Sequence, residues 1–173
     1  PRGFLREDKR SLERANLIIL NHIRDPEQFL SIKEQLKSYS TAPVVGTNGC
    51  VAAIRDLKGQ VVQIPQEGKI GMFCAIAHPD YFRRTLEREG LQVVAEFAMG
   101  DHERMPEKEL EQFAQLCLTK GANWLICTEK DRVKLNDGLA LSLPILWVQL
   151  ELRLVAGQEE WHDFLRQAEA KIT

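Results

Sequence analysis

Residues Phe97 to Arg104, FAMGDHER, set an aspartate and a histidine side by side between an apolar run and the start of a predicted helix. Imidazole titrates near neutral pH, and a carboxylate can fix its tautomer and orientation. Asp101 and His102 are therefore candidates for general-base chemistry at a strand end. The alternative is a loop aspartate that caps the helix beside an exposed histidine. Adjacent side chains point in different directions, so we expect the partner of His102 to come from elsewhere in the fold.

Two further polar groups follow apolar runs. The motif TEKD, Thr128 to Asp131, comes directly after WLIC. Thr128 is suited to cap a following turn, and acids are favoured near a helix N-terminus, so a structural role is sufficient for Glu129 and Asp131. A ligand-binding role for Lys130 or Asp131 stays open. His78 precedes Pro79, which favours extended backbone and predicts the end of a strand.

A charged group near the beginning of the chain, PRGFLRED, surrounds a glycine. Arg6 has the planar guanidinium that can hold a phosphate through two hydrogen bonds, and Glu7 is suited to hold a metal ion or an arginine. The alternative is an ordinary solvated run of charges.

The elements that must position these groups follow from hydrophobic periodicity and breaker residues. Segment 42–65 is predicted as two short strands joined by a tight turn, with turn signals at Thr47–Gly49 and Leu57–Gln60. Helices are predicted to begin near Asp25–Pro26, Pro79 and Pro106, with a last one that packs residues from Trp161 to Ile172. The other strands are predicted at ANLIILNHI, KIGMFCAIA, LQVVAEF, WLICT and, with one buried face of alternating residues, Leu146–Leu154.

Alternating strands and helices indicate an α/β fold with a mainly parallel sheet flanked by helices. In such sheets ligands bind in the crevice beyond the carboxyl ends of the strands. The polar residues after three predicted strands, at His78, at Asp101 and His102, and at TEKD, all fall at such ends.

Composition excludes several classes of function. With 23 Lys and Arg against 25 Asp and Glu, the net charge is −2, and the absence of a long basic run argues against a nucleic-acid partner. Four cysteines without a CxxC pair fit a reducing, cytoplasmic compartment. No apolar stretch approaches the roughly 18 residues that span a bilayer, so any membrane contact is expected to be peripheral. The chain starts at Pro1 without a Met, and we expect further sequence upstream. It contains no GxxxxGK[ST] loop to hold a phosphate.

Several segments, taken in order, resemble one family. They are PRGFLRE (1–7), LERANLIILN (12–21), FCAIAHPDYFRRTLEREG (73–90), GDHE (100–103) and CTEKDRVKL (127–135). Together they are similar to tetraacyldisaccharide 4'-kinase, the lipid A kinase, over about the second half of the family's pattern. The chain departs from that pattern at Ala75, His78, Gly100 and near Glu103.

The resemblance implies an ATP- and Mg²⁺-dependent P-loop kinase that phosphorylates the 4'-hydroxyl of tetraacyldisaccharide 1-phosphate, a lipid A precursor, at the cytoplasmic face of the bacterial inner membrane. The phosphate-binding loop and an acidic DDGFQ-type segment of the family would precede Pro1. Residues 1–41 are then expected to be a remnant of the N-terminal kinase domain. The change in composition after residue 42 predicts a β-linker at 42–68, followed by a C-terminal α/β domain at 69–156 and a C-terminal helix at 157–173. Alone, the 173 residues are expected to be inactive.

Site residues are implied by the same resemblance. His102 would pair with an upstream acidic residue to activate the sugar hydroxyl, and Asp101 would support it. Arg6 and Glu7 would lie near the nucleotide, the metal or the substrate phosphate. Thr128, Glu129, Lys130, Asp131 and His78 are possible site-lining residues without an assigned role.

Two rival functions stay open at the level of sequence. One is a metal-dependent phosphoester hydrolase with Asp101 and His102 as ligands, for which His78 and Asp131 are the further candidates. The other is a non-catalytic α/β interaction module in which every polar cluster serves as a cap.

Overall fold

The structure, a computed structural model, describes residues 7–100, 106–136 and 138–171. They form two compact units, the first from the described residues up to Gly49 and from Leu152 onward, the second from Cys50–Glu151. A 3₁₀ helix at Lys9–Arg14 precedes the regular elements. These are β1 (Ile18–Leu20), α1 (Pro26–Leu36), β2 (Val44–Asp56), β3 (Lys69–Cys74), α2 (Pro79–Arg88), β4 (Gln92–Ala98), α3 (Glu107–Thr119), β5 (Trp124–Thr128), α4 (Glu129–Arg132), β6 (Ile145–Ala156) and α5 (Gln158–Glu169).

Within the described part of the chain the strands form one six-stranded sheet in the order β1-β2-β6-β5-β3-β4. Pairing is parallel between β1 and β2, between β3 and its neighbours β4 and β5, and between β5 and β6. One antiparallel bridge joins Arg55 and Val61 around a turn. The predicted α/β fold, with a mainly parallel sheet flanked by helices, is confirmed.

In the second unit, β3 is paired on both sides, by β4 and β5, and its alternating side chains pack into two different cores. Ile70 and Met72 pack with Phe82 and Leu86 of α2, while Phe73 packs with residues of α3. Because successive strand residues point to opposite faces, α2 and α3 cover opposite sides of this part of the sheet. Burial of each large apolar side chain stabilises the fold by about 1.5–3 kcal/mol.

In the first unit, α1 packs on β1 and β2 through a small core of Ile18, Ile23, Phe29 and Val44. The helix begins where the sequence predicts. Asp25 Oδ1 accepts a hydrogen bond from the Gln28 amide at 2.7 Å, and Pro26 occupies the first turn. These are the local signals of a helix N-terminus, which is why the sequence alone located it.

The predicted turn at Thr47–Gly49 is wrong, because β2 runs without interruption through these residues. Tertiary hydrogen bonds outweigh the local turn propensity. The Thr47 hydroxyl donates to Asn21 Oδ1 at 2.6 Å, and the Ile23 amide donates to the Thr47 carbonyl at 3.0 Å. The second predicted turn is present at Leu57–Gln60, where the Asp56 amide donates to the Gln60 carbonyl at 2.9 Å.

The buried face predicted for Leu146–Leu154 is only partly correct. Leu146 and Val148 are buried, but Leu150 is 40% and Leu152 is 65% exposed. The pairing with β5 ends at Val148, which lies opposite Thr128. Strand β6 therefore extends beyond the end of β5. Its apolar residues continue to alternate with polar ones past Val148, but there they are exposed.

The close packing of α3 on β3 generates a first prediction. A Cβ on Gly71 would lie 2.3 Å from Cys117 Sγ and 2.8 Å from Leu125 Cδ2. We expect Gly71→Ala to lower the free energy of unfolding by about 1–3 kcal/mol, because a well-packed core resists added atoms. Gly138→Ala is the control, since a Cβ there meets no atom within 4 Å. Urea denaturation measures both; equal midpoints for the two variants would contradict the described packing.

Candidate functional site at the carboxyl edge of the second unit

Three parallel strands of the second unit end at one edge of the sheet. Cys74 ends β3, Ala98 ends β4 and Thr128 ends β5. We call this the carboxyl edge. Because the carboxyl ends of parallel strands face the same crevice, it is the expected place for a ligand or reaction site.

Asp101 and His102, the predicted catalytic residues, lie outside the described residues, and so does Arg6. The described residues on either side of the first two are Gly100, just after β4, and Pro106, which precedes α3. The assignments of Asp101, His102 and Arg6 therefore stay predictions.

The TEKD motif is described in full, and its two ends are joined. Thr128 caps α4, with its Oγ1 accepting the Asp131 amide at 3.2 Å. The same hydroxyl donates to Asp131 Oδ2 at 2.7 Å. The predicted capping role of Thr128 is thus confirmed, and the side chain also orients a buried carboxylate.

Asp131 is only 5% exposed, which is unusual for a carboxylate. Its Oδ2 also accepts the backbone amide of Ala75, beyond the end of β3, at 3.2 Å. Its Oδ1 accepts Lys134 Nζ at 3.0 Å. Burial of a carboxylate is costly unless it is paired and hydrogen-bonded, and both oxygens meet that condition.

Sequence reasoning missed Lys134 and Ala75 as partners of Asp131. The lysine follows the aspartate by one helical turn, a spacing that favours an ion pair and was a usable signal. Ala75 is 56 residues away in the chain, and only the sheet brings it near.

The remaining motif residues face outward. Glu129 and Lys130 are exposed on α4. His78 is exposed and lies just before α2, where its side chain makes no capping hydrogen bond. Glu7 is exposed in the first unit and forms an ion pair with Arg14 in the 3₁₀ helix. An exposed pair of this kind contributes little to stability, so the charge of Glu7 is not tied to a structural role.

A shallow cavity of about 250 Å³ lies between the start of α3 and the chain that follows α4. The Asn136 amide donates to the Glu107 carboxylate on its wall. Its boundary begins at Pro106, directly after the segment that holds Asp101 and His102. The lining residues are Pro106, Glu107, Leu110, Lys134, Leu135, Asn136 and Leu139.

Among residues 7–100, 106–136 and 138–171, no three His, Cys, Asp or Glu side chains are grouped so that they could hold a metal ion. No helix in that part of the chain has the length and apolar character needed to cross a membrane. Phe82 and Leu86 of α2 are buried in the core.

Three cysteines of the second unit, Cys74, Cys117 and Cys127, are free and fully buried. Burial raises the pKa of the Cys74 thiol to about 12, and the carboxylates of Asp131 and Glu96 add to the shift. Burial likewise raises the pKa of Cys117 to about 11 and that of Cys127 well above its ordinary value. A thiol with a raised pKa stays protonated at neutral pH and is a poor nucleophile, so these cysteines are structural.

A labelling experiment follows from these pKa shifts. At pH 8 the native protein is expected to react with iodoacetamide at half-buried Cys50 much faster than at Cys74, Cys117 or Cys127. Burial blocks access to the three, and their raised pKa values leave little thiolate. Mass spectrometry of native and urea-unfolded samples measures the order, and the difference should vanish on unfolding. Rapid native labelling of Cys74 would contradict the described burial.

Comparison with known proteins places these observations in a family. The family model LpxK, described as tetraacyldisaccharide-1-P 4'-kinase, matches residues 1–170. Tetraacyldisaccharide 4'-kinase of Chlamydia pneumoniae is 29% identical over 98% of this chain and 46% of its own length. The enzymes of Pelodictyon phaeoclathratiforme and Elusimicrobium minutum are also 29% identical, over 98% and 100% of this chain and 50% and 47% of theirs.

Among solved structures, the "apo" form of LpxK from Aquifex aeolicus in complex with ATP is similar, with a TM-score of 0.55 and 17% identity. The match covers 94% of this chain and 45% of that one, and at this identity it supports the fold alone. The chain spans about half the length of the curated relatives it matches. Since the family model extends over nearly every residue, the chain belongs to the tetraacyldisaccharide-1-P 4'-kinase family.

Proposed function

We propose that this chain is the C-terminal portion of an ATP-dependent kinase that phosphorylates the 4'-hydroxyl of tetraacyldisaccharide 1-phosphate in lipid A biosynthesis. The observation that carries the proposal is the family match over residues 1–170. The arrangement of the second unit supports it, because a parallel sheet with three strand ends at one edge offers one wall of a cleft.

Phosphoryl transfer requires mainly positioning and charge neutralisation, together with a group that orients or deprotonates the acceptor hydroxyl. We assign the last task to His102, with Asp101 in support. In the transfer, the bond from the γ-phosphorus to the leaving ADP oxygen breaks and a bond to the 4'-oxygen forms, while the hydroxyl proton passes to the imidazole of His102. Histidine suits this step because an unperturbed imidazole exchanges its proton near neutral pH.

Arg6 and Glu7 are proposed to lie near the nucleotide, the metal or the substrate phosphate. The guanidinium of Arg6 would contribute positive charge toward a phosphate through paired hydrogen bonds. Glu7 is exposed, and its ion pair with Arg14 is an exposed contact that a ligand could exchange at little cost.

ATP and Mg²⁺ are the proposed cofactors of the complete protein. The sequence contains no GxxxxGK[ST] loop, and the described residues hold no grouped metal ligands, so neither the phosphate cradle nor the metal site is assigned to them. Mg²⁺ would supply charge neutralisation on the transferred phosphoryl group. The described residues do not form a complete Mg²⁺ site.

The proposal divides the chain into four parts. They are a part of the kinase domain (1–41), a β-linker (42–68), an α/β domain (69–156) and a terminal helix (157–173). The partners would be the missing N-terminal P-loop domain and the lipid A precursor. Peripheral contact with the cytoplasmic face of the bacterial inner membrane would follow from the nature of that acylated substrate.

A transfer assay tests the proposed function. The complete protein is incubated with γ-labelled ATP, Mg²⁺ and tetraacyldisaccharide 1-phosphate, and label is expected in the 4'-phosphorylated product. The 173 residues alone should give no product and no ATP turnover. Release of phosphate from a phosphoester without ATP would favour a hydrolase instead, and metal analysis of the purified chain would support that outcome. Neither transfer nor hydrolysis would favour an interaction module.

The base role of His102 has its own test. In the complete protein, His102→Ala is expected to lower kcat about 10²- to 10⁴-fold while the KM for ATP changes little, because the imidazole acts on the acceptor hydroxyl. His162→Ala, an exposed substitution on α5, is the matched control and should retain activity. Steady-state kinetics measure both, and full activity of His102→Ala would exclude the assignment.

A further inference from the structure

One peptide unit at the end of β3 is held from both sides. The amide of Ala75 donates to Asp131 Oδ2 at 3.2 Å. The carbonyl of the same peptide, that of Cys74, accepts the Met99 amide at 2.9 Å. Cys74 and Ala75 are at most 2% exposed, so water cannot easily replace either bond. The peptide therefore links a side chain that follows β5 to the backbone that follows β4.

The resulting row of contacts crosses the ends of three strands. It runs from Lys134 Nζ to Asp131, then through the Cys74–Ala75 peptide to Met99. Met99 lies just before Gly100 and Asp101 in the sequence, where the chain leaves β4. Whatever orients this peptide also orients the point from which the segment with Asp101 and His102 continues.

Asp131 is suited to that task. The peptide is planar, so fixing its N–H also fixes the direction of its carbonyl. A carboxylate accepts an amide hydrogen bond more strongly than a neutral group does, and the buried setting strengthens the bond further. Thr128 holds the same carboxylate oxygen at 2.7 Å, which limits rotation of the Asp131 side chain.

We propose that Asp131 is a positioning residue for the kinase reaction: it orients the Cys74–Ala75 peptide and, through Met99, the exit of the chain that carries His102. The inference rests on the proposed function and deepens it. It assigns a role to the TEKD motif, in which Thr128 orients the Asp131 side chain. Lys134, which follows the motif, neutralises the charge of Asp131. Asp131 touches no reacting atom in this scheme, and its effect on the reaction passes through His102.

The first experiment replaces the charge and keeps the shape. In the complete protein, Asp131→Asn is expected to lower kcat about 10- to 100-fold with the KM for ATP within about twofold, as for a catalytic group displaced by a fraction of its contact distance. Amide hydrogen exchange at Ala75 and Met99 should become faster. Unchanged kcat would overturn the inference.

A double-mutant cycle separates positioning from stabilisation. In a His102→Ala background, Asp131→Asn should cause no further loss beyond about twofold, because the group it positions is already absent. If Asp131 only stabilised the fold, the substitution would reduce activity by the same factor in both backgrounds. An equal factor would therefore overturn the inference.

A second pair of variants keeps the test available if Asp131→Asn does not fold. Thr128→Val removes the hydroxyl that orients Asp131 at similar shape, whereas Thr128→Ser retains it. We expect Thr128→Val to lower kcat, and Thr128→Ser to keep activity within about twofold of the parent. In the His102→Ala background, Thr128→Val should cause no further loss of kcat. Equal activity of the two variants would contradict the inference.

Different results would contradict the proposed kinase function and the positioning role of Asp131. A parent protein that does not phosphorylate tetraacyldisaccharide 1-phosphate overturns the proposed function, and the inference with it. A parent protein that is active, but whose Asp131→Asn and Thr128→Val variants keep full kcat, overturns the inference alone.

Discussion

The parallel pairing of β3 on both sides is the constraint on which the second unit depends. Registers from Ile70 onward align β3 with β4 and with β5, so all three strands end at one edge. A strand paired on both sides and covered on both faces must be almost wholly buried, and Ile70 to Cys74 meet that requirement. The core, the carboxyl edge and the candidate site all follow from the placement of this strand.

That placement also explains why small residues and buried thiols occur where they do. Gly71 leaves room for Cys117 of α3 to approach the sheet, and Cys74 and Cys127 are fully buried on neighbouring strands. Their raised pKa values are a consequence of burial and not a sign of reactivity. A perturbed pKa marks a functional site only when the group is also accessible, and these groups are not.

Asp131 differs from the buried cysteines, because its burial costs free energy that apolar packing alone would not require. A carboxylate buried to this extent is costly, and an apolar residue of similar size would fill the same space. The carboxylate fixes the orientation of its partners, because it accepts hydrogen bonds from a hydroxyl, a backbone amide and an ammonium group at once. In the proposed reaction this orientation would matter, because phosphoryl transfer depends mainly on the placement of the reacting groups.

The sequence by itself determined local elements such as the helix start at Asp25 and the cap at Thr128. It also determined the family, through ordered motifs that include GDHE and TEKD. For Arg6, Asp101 and His102 it is the source of the assignment, since they lie outside the described residues. Tertiary structure alone decided that β2 continues through Thr47–Gly49, that β6 loses its cover beyond Val148, and that Asp131 reaches Ala75. The physical reason is range: caps and turns depend on neighbours in sequence, whereas these three features depend on partners that only the folded sheet brings together.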